Sequence, residues 1–156
     1  FDDEARSVSV GSDGRVAVAG YTRRALDGAH AGGADAFVRV YERDGTLAWA
    51  RQFGTTAADE ARAVGIDAAG NVVVAGYTEG SLVGVGAAGR DAFVRKFDPD
   101  GATRWTQQFG TFGSDTINAL AVDEPTGEIV VVGPTSGPLQ GPNSGGSDIF
   151  VRRMEP

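Results

Sequence analysis

A chain of 156 residues is long enough for one domain with a real core. Its formal charge of −7 argues against a nucleic-acid or anionic-membrane partner, since phosphate binding needs a basic face. The absence of cysteine excludes disulfides and thiolate metal sites, and no apolar run approaches the roughly 20 residues of a membrane-spanning helix.

The chain opens on Phe1, which reads as a processed product or a fragment. The first recurring stretch follows at once: Asp3-Glu-Ala-Arg, a short apolar run, a turn at Asp13-Gly14, and a second run ending in Gly20-Tyr21-Thr22. The same pattern returns at Asp59-Glu-Ala-Arg62 through Gly76-Tyr77-Thr78, and again from Asp115 to Gly133-Pro134-Thr135. Gly20 and Gly76 are 56 positions apart, as are Trp49 and Trp105, and Phe53 and Phe109. A fixed period of this size signals a repeat architecture. The units fall at about 1–56, 57–112 and 113–156, within a single segment spanning 1–156.

The second unit shows four strand-like runs: 61–67, 72–76, 91–98 and 102–109. They are rich in β-branched and aromatic residues and too short for typical helices. Ala68-Ala-Gly70-Asn71 joins the first pair, and Pro99-Asp100-Gly101 joins the last. Asp-Gly suits a tight hairpin, with Gly taking positive φ. The unit is therefore an antiparallel four-stranded meander. Val72-Val-Val-Ala75 is apolar at consecutive positions, so both faces of that strand are covered. In the last run Trp105, Gln107 and Phe109 alternate with Arg104, Thr106 and Gln108, which suits a strand with one wet face. The first run is built from Ala61, Ala63 and Gly65, small residues suited to a crowded inner strand. All-β sheets with covered faces and a crowded first strand describe β-propeller blades. Three such repeats make an arc or part of a larger propeller. The third unit lacks its outer strand, and an open arc exposes two apolar blade faces. Further blades of the same protein, or other protein chains in an oligomer, are expected to cover them.

Asp35-Ala-Phe-Val-Arg39, Asp91-Ala-Phe-Val-Arg95 and Asp148-Ile-Phe-Val-Arg152 are three copies of one motif. Asp-Gly, Trp and Gln-Phe-Gly follow it, then Asp-Glu-Ala and Gly-Tyr-Thr. Together they resemble the SBBP-type bacterial β-propeller repeat. Pro134 departs from the Gly-Tyr-Thr signature. The resemblance implies a secreted or cell-surface bacterial protein with a scaffold or binding role, and it carries no catalytic residues to transfer.

Asp35, Asp91 and Asp148 each open the third run after a Gly-rich loop. They are candidate metal ligands, but one carboxylate per blade falls short of the roughly six to eight oxygens calcium takes. Capping of loop amides is the competing role. Asp98-Pro-Asp100-Gly101 opens like a calcium loop but lacks the later ligands and reads as a hairpin turn. Asp59-Glu60 and its copies read as loop structure, because no His or Lys recurs beside them. His30, the sole histidine, reads as a solvated loop residue. Trp49 and Trp105 read as blade packing rather than a sugar platform. Tyr21 and Tyr77 end the second run beside the loops 23–34 and 79–90; with His30 they mark the expected recognition surface. The functional expectation is a non-catalytic scaffold with no cofactor. A carbohydrate- or calcium-binding module, using the loop face or the axial channel, is the alternative.

Overall fold

The computed structural model describes residues 2–26, 28–84, 89–123 and 125–155. Among them there is no helix; eleven strands form three antiparallel sheets. Sheet 1 holds β1 (Glu4–Val10), β2 (Val16–Thr22), β3 (Asp35–Tyr41) and β4 (Leu47–Phe53). Sheet 2 holds β5 (Asp59–Ile66), β6 (Val72–Thr78), β7 (Asp91–Phe97) and β8 (Thr103–Phe109). Sheet 3 holds β9 (Ala119–Val122), β10 (Ile129–Thr135) and β11 (Asp148–Met154). Every sheet pairs in chain order, as expected of hairpin-linked strands.

The two β3–β4 and β7–β8 hairpins turn on Gly45 and Gly101, with φ of 86° and 80°. Only glycine takes that conformation without strain. Asp98 Oδ1 accepts from Asp100 N at 3.1 Å and Ala102 N at 2.8 Å. The Asp98-Pro-Asp-Gly segment is thus a side-chain-capped turn.

One irregularity recurs. The register slips at Ala5/Ser7 against β2 and at Ala61/Ala63 against β6. Each bulge drives the carbonyl of Glu4 or Glu60 against Gly20 or Gly76, where a Cβ would overlap it. This contact requires the glycine of Gly-Tyr-Thr. Gly133 meets the carbonyl of Thr116 in the same way.

The sheets pack face to face in one repeated sense. Ala17, Ala19, Ala36, Val38, Val40 and Trp49 of sheet 1 bury against Val64, Ile66, Val72, Val74, Phe93 and Phe97 of sheet 2. The other face of sheet 2, through Val73, Ala75, Ala92 and Val94, buries against Ile129, Val131, Phe150 and Met154 of sheet 3. All seven residues of β6 are therefore buried, which explains its unbroken apolar run. The small residues of β5 have a matching cause. A Cβ on Gly65 would lie 2.8 Å from both Leu120 and Val122 of β9.

Candidate functional site

Four of the carboxylates that the sequence singles out meet in pairs where one sheet passes to the next. At the first junction the chain leaves β4 through Gly54-Thr55 and enters β5 at Asp59. Asp35 and Asp59 are both fully buried there. A Cβ placed on Gly54 would sit 2.7 Å from Asp35 Oδ1 and 3.0 Å from Asp59 Oδ2, so the two carboxylates meet over that glycine. Asp59 Oδ2 accepts from Thr55 N at 2.6 Å and Thr55 Oγ1 at 2.9 Å. Burial, with a smaller contribution from the Asp35 charge, pushes the Asp59 carboxyl above the usual range, against the bonds from Thr78 and Thr55.

The second junction repeats the device. Asp91 and Asp115 meet over Gly110, and Thr111 donates to Asp115 Oδ2 from its N at 2.6 Å and its Oγ1 at 2.9 Å. Thr135 Oγ1 donates to Asp115 Oδ1. Aromatic contacts cross both junctions as well. Phe53 meets Phe93 edge-on at 5.7 Å, and Phe109 meets Phe150 edge-on at 5.9 Å. The Arg95 guanidinium lies 4.1 Å from the Phe53 ring centre, and that of Arg152 lies 4.2 Å from Phe109.

A glutamine clamps each loop between the second and third strands of a complete sheet. Gln52 Nε2 donates to Arg24 O at 2.9 Å and to Asp35 Oδ2 at 2.8 Å, while Leu26 N donates to Gln52 Oε1 at 2.7 Å. Gln108 does the same with Gly80 O at 2.9 Å, Asp91 Oδ2 at 2.8 Å and Leu82 N at 2.8 Å. The signal for this clamp is the repeated Gln-Phe-Gly-Thr of residues 52–55 and 108–111.

Asp35 and Asp91 thus sit inside the junctions. Asp148 is half-buried and accepts from Ser144 N at 2.9 Å. The structure does not bring the three together, and among the described residues no group of three or more His, Asp or Glu converges as a metal site. His30 Nδ1 lies 3.3 Å from Asp35 Oδ2, with part of its ring exposed. Tyr21 and Tyr77 are buried. Tyr21 donates to Glu4 Oε2 at 2.9 Å. Tyr77 is held between the guanidinium groups of Arg62 and Arg90, 5.1 Å and 3.9 Å from its ring centre. Burial, then its bond to Glu60, pushes its phenol up to about 12. Residues 27 and 85–88 of the expected recognition loops lie outside the described residues.

One polar pair gives no motif-like signal in the sequence. Lys96 Nζ lies 3.1 Å from Asp67 Oδ2, both side chains buried in sheet 2. Burial alone would raise the Asp67 carboxyl; hydrogen bonds from Asn71 and the Lys96 charge hold it below the usual range.

Stacked antiparallel sheets, joined by buried carboxylate junctions at a fixed period, define an all-β repeat protein. Residues 48–82 match the SBBP family, described as a beta-propeller repeat, so the chain carries the repeat that its motifs resemble. It is 34% identical over 144 residues to "Regulatory protein FlaEY" of Caulobacter vibrioides. That match covers 81% of this chain and 15% of the relative's length. In fold it is similar to the crystal structure of a protein of unknown function from Bacteroides caccae. The TM-score is 0.51 at 16% identity, over 82% of this chain and 38% of that one.

Proposed function

We propose that this chain is a non-catalytic scaffold: three propeller blades in an arc whose two end faces are covered by further sheets of the same kind. The supporting observation is that one interface occurs twice in the same sense. Each outer face of the stack repeats half of it. Val8 and Val10 of sheet 1 are each 63% exposed, and Val18 pairs with Val8 beside them. Ile149 and Val151 of sheet 3 are 86% and 56% exposed. Apolar patches of this kind mark interaction surfaces. The non-catalytic reading is supported by the engagement of Asp35, Asp59, Asp91 and Asp115, which hold loop amides, threonines and glutamines in place. The loop rim, His30 included, is the surface such a scaffold presents. The resemblance to the SBBP repeat supports a reading of the scaffold as secreted or held at the cell surface.

Sedimentation of the chain tests this reading. Concentration-dependent association is expected, and Ile149→Asp combined with Val8→Asp should return a monomer. A monomer at hundreds of micromolar would count against it. Thermal denaturation with calcium or a glycan panel tests the alternative: a marked rise in Tm would point to a ligand-binding module.

A further inference from the structure

We propose that the rim of the second junction is a binding site for a neutral pyranose sugar, seated on the ring of Phe112. The two junctions share one template, so a side chain present at one and absent from the other is not one that the junction needs. Across the 56-residue period, Arg23, Ala34, Thr56 and Ala58 at the first junction become Glu79, Arg90, Phe112 and Ser114 at the second. The skeleton beneath is the same in both: a Gly-Thr link, a pair of buried carboxylates and a loop clamped by glutamine. The first junction closes without any of the four side chains, and the second carries them all.

The four come together. Arg90 pairs with Ser114 in a parallel bridge, and Asp115 N donates to Arg90 O at 2.7 Å. Arg90 Nε and Nη2 donate to Glu79 Oε1 at 3.2 Å and 2.7 Å, while its guanidinium lies against the Tyr77 ring. Glu79, Gly89, Arg90 and Ser114 line an open hollow of about 570 Å³. Phe112 stands at its lip, since a Cβ on Gly89 would lie 3.4 Å from Phe112 O. Phe112 is 91% exposed, more than any other large apolar residue among those described. It lies in the link between sheets 2 and 3, both present, so the outer faces of the stack do not decide its exposure.

An aromatic ring has a negative face that attracts partly positive C–H groups. A pyranose offers a face of C–H groups and a perimeter of hydroxyls, each both donor and acceptor. The hollow matches that perimeter. The Glu79 carboxylate accepts, the Ser114 hydroxyl does either, and the bonds to Glu79 leave the Arg90 Nη1 donors for a ligand. Glu79 offsets the Arg90 charge and the whole chain carries −7, so an anionic ligand gains no net attraction here.

The inference rests on the reading of the loop rim as the surface that the scaffold presents. Methyl glucoside, methyl galactoside and methyl mannoside are the probes, titrated into the isotope-labelled whole chain and followed by amide shifts in NMR. At least one should bind saturably in the millimolar range, the reach of a single small subsite, and move the amides of Gly89, Arg90, Gly113 and Ser114. Binding this weak moves Tm little at low-millimolar sugar, which separates a displayed subsite from a dedicated ligand-binding module. Phe112→Thr and Ser114→Ala install the residues that the first junction already carries, so both variants should fold. Phe112→Thr should weaken binding about ten-fold and Ser114→Ala about five-fold. No saturable shift at about 100 mM sugar would overturn the proposal. So would binding indifferent to Phe112→Thr, shifts centred on the first junction, or a preference for the acidic N-acetylneuraminic acid over every neutral probe. Self-association with no sugar bound sinks this inference alone; sugar bound by a chain that stays monomeric sinks the scaffold reading alone.

Discussion

Sheet 2 and sheet 3 share the Asp-x-Phe-Val-Arg motif and differ in what surrounds it. Val94 of β7 and Val151 of β11 stand at the same place in Asp-x-Phe-Val-Arg, yet one is fully buried and the other 56% exposed. Phe93 and Phe150 share a place too, and both are buried, because the face they point to is covered in each case. Residue identity therefore records the template, while burial records the neighbours. The polar groups follow the same rule. Lys96 of β7 is sealed against Asp67, whereas Arg153, its counterpart on β11, reaches Glu128 from an exposed position.

The largest break in that comparison should come from the sealed pair. Lys96→Ala strands the Asp67 carboxylate in the interior and should cost about 3–5 kcal/mol in urea unfolding. Arg153→Ala should leave the midpoint where it is. Equal shifts would mean the two sheets do not differ as described. Next, Val94→Ala should cost about 2 kcal/mol, the scale of a fully buried valine. Val151→Ala, at the same motif position, should stay within about 0.5 kcal/mol.

The smallest effect concerns the carboxylates that join sheet 1 to sheet 2. The fold raises the Asp59 carboxyl above the ordinary value of 3.8, so it binds the proton more tightly than the unfolded chain does. Its favourable contribution is present below that value and is lost as pH rises through the raised one. Asp59→Asn removes the charge and keeps an acceptor for Thr55 N. Its stability relative to the parent should therefore improve between acid and neutral pH. A variant that loses stability relative to the parent as pH rises would contradict this assignment.

Much of the architecture is legible in the sequence, because it rests on local pattern. The 56-residue spacing, the run Val72-Val-Val-Ala75 and the Asp-Gly turns each fix something that adjacent residues decide. The junction is only half legible. Asp35 and Asp91 stand out as recurring carboxylates, but Gln52 and Gln108 reach them only through strand pairing within a sheet, and Asp59 and Asp115 only where one sheet stacks on the next. Tyr77 shows the same limit from the other side. At the end of a strand beside a long loop it reads as surface; the bulge in β5 and the arm of Arg90 enclose it. Lys96 has no signal at all, since nothing in a lysine among apolar residues names a carboxylate 29 positions earlier.

Native-state hydrogen exchange of the dilute chain tests the contrast between the two sheets most directly. The β6 amides, 72–78, should exchange only through global unfolding, while the β11 amides that face away from β10 should exchange orders of magnitude faster. Equal protection of the two strands at high dilution would contradict the account.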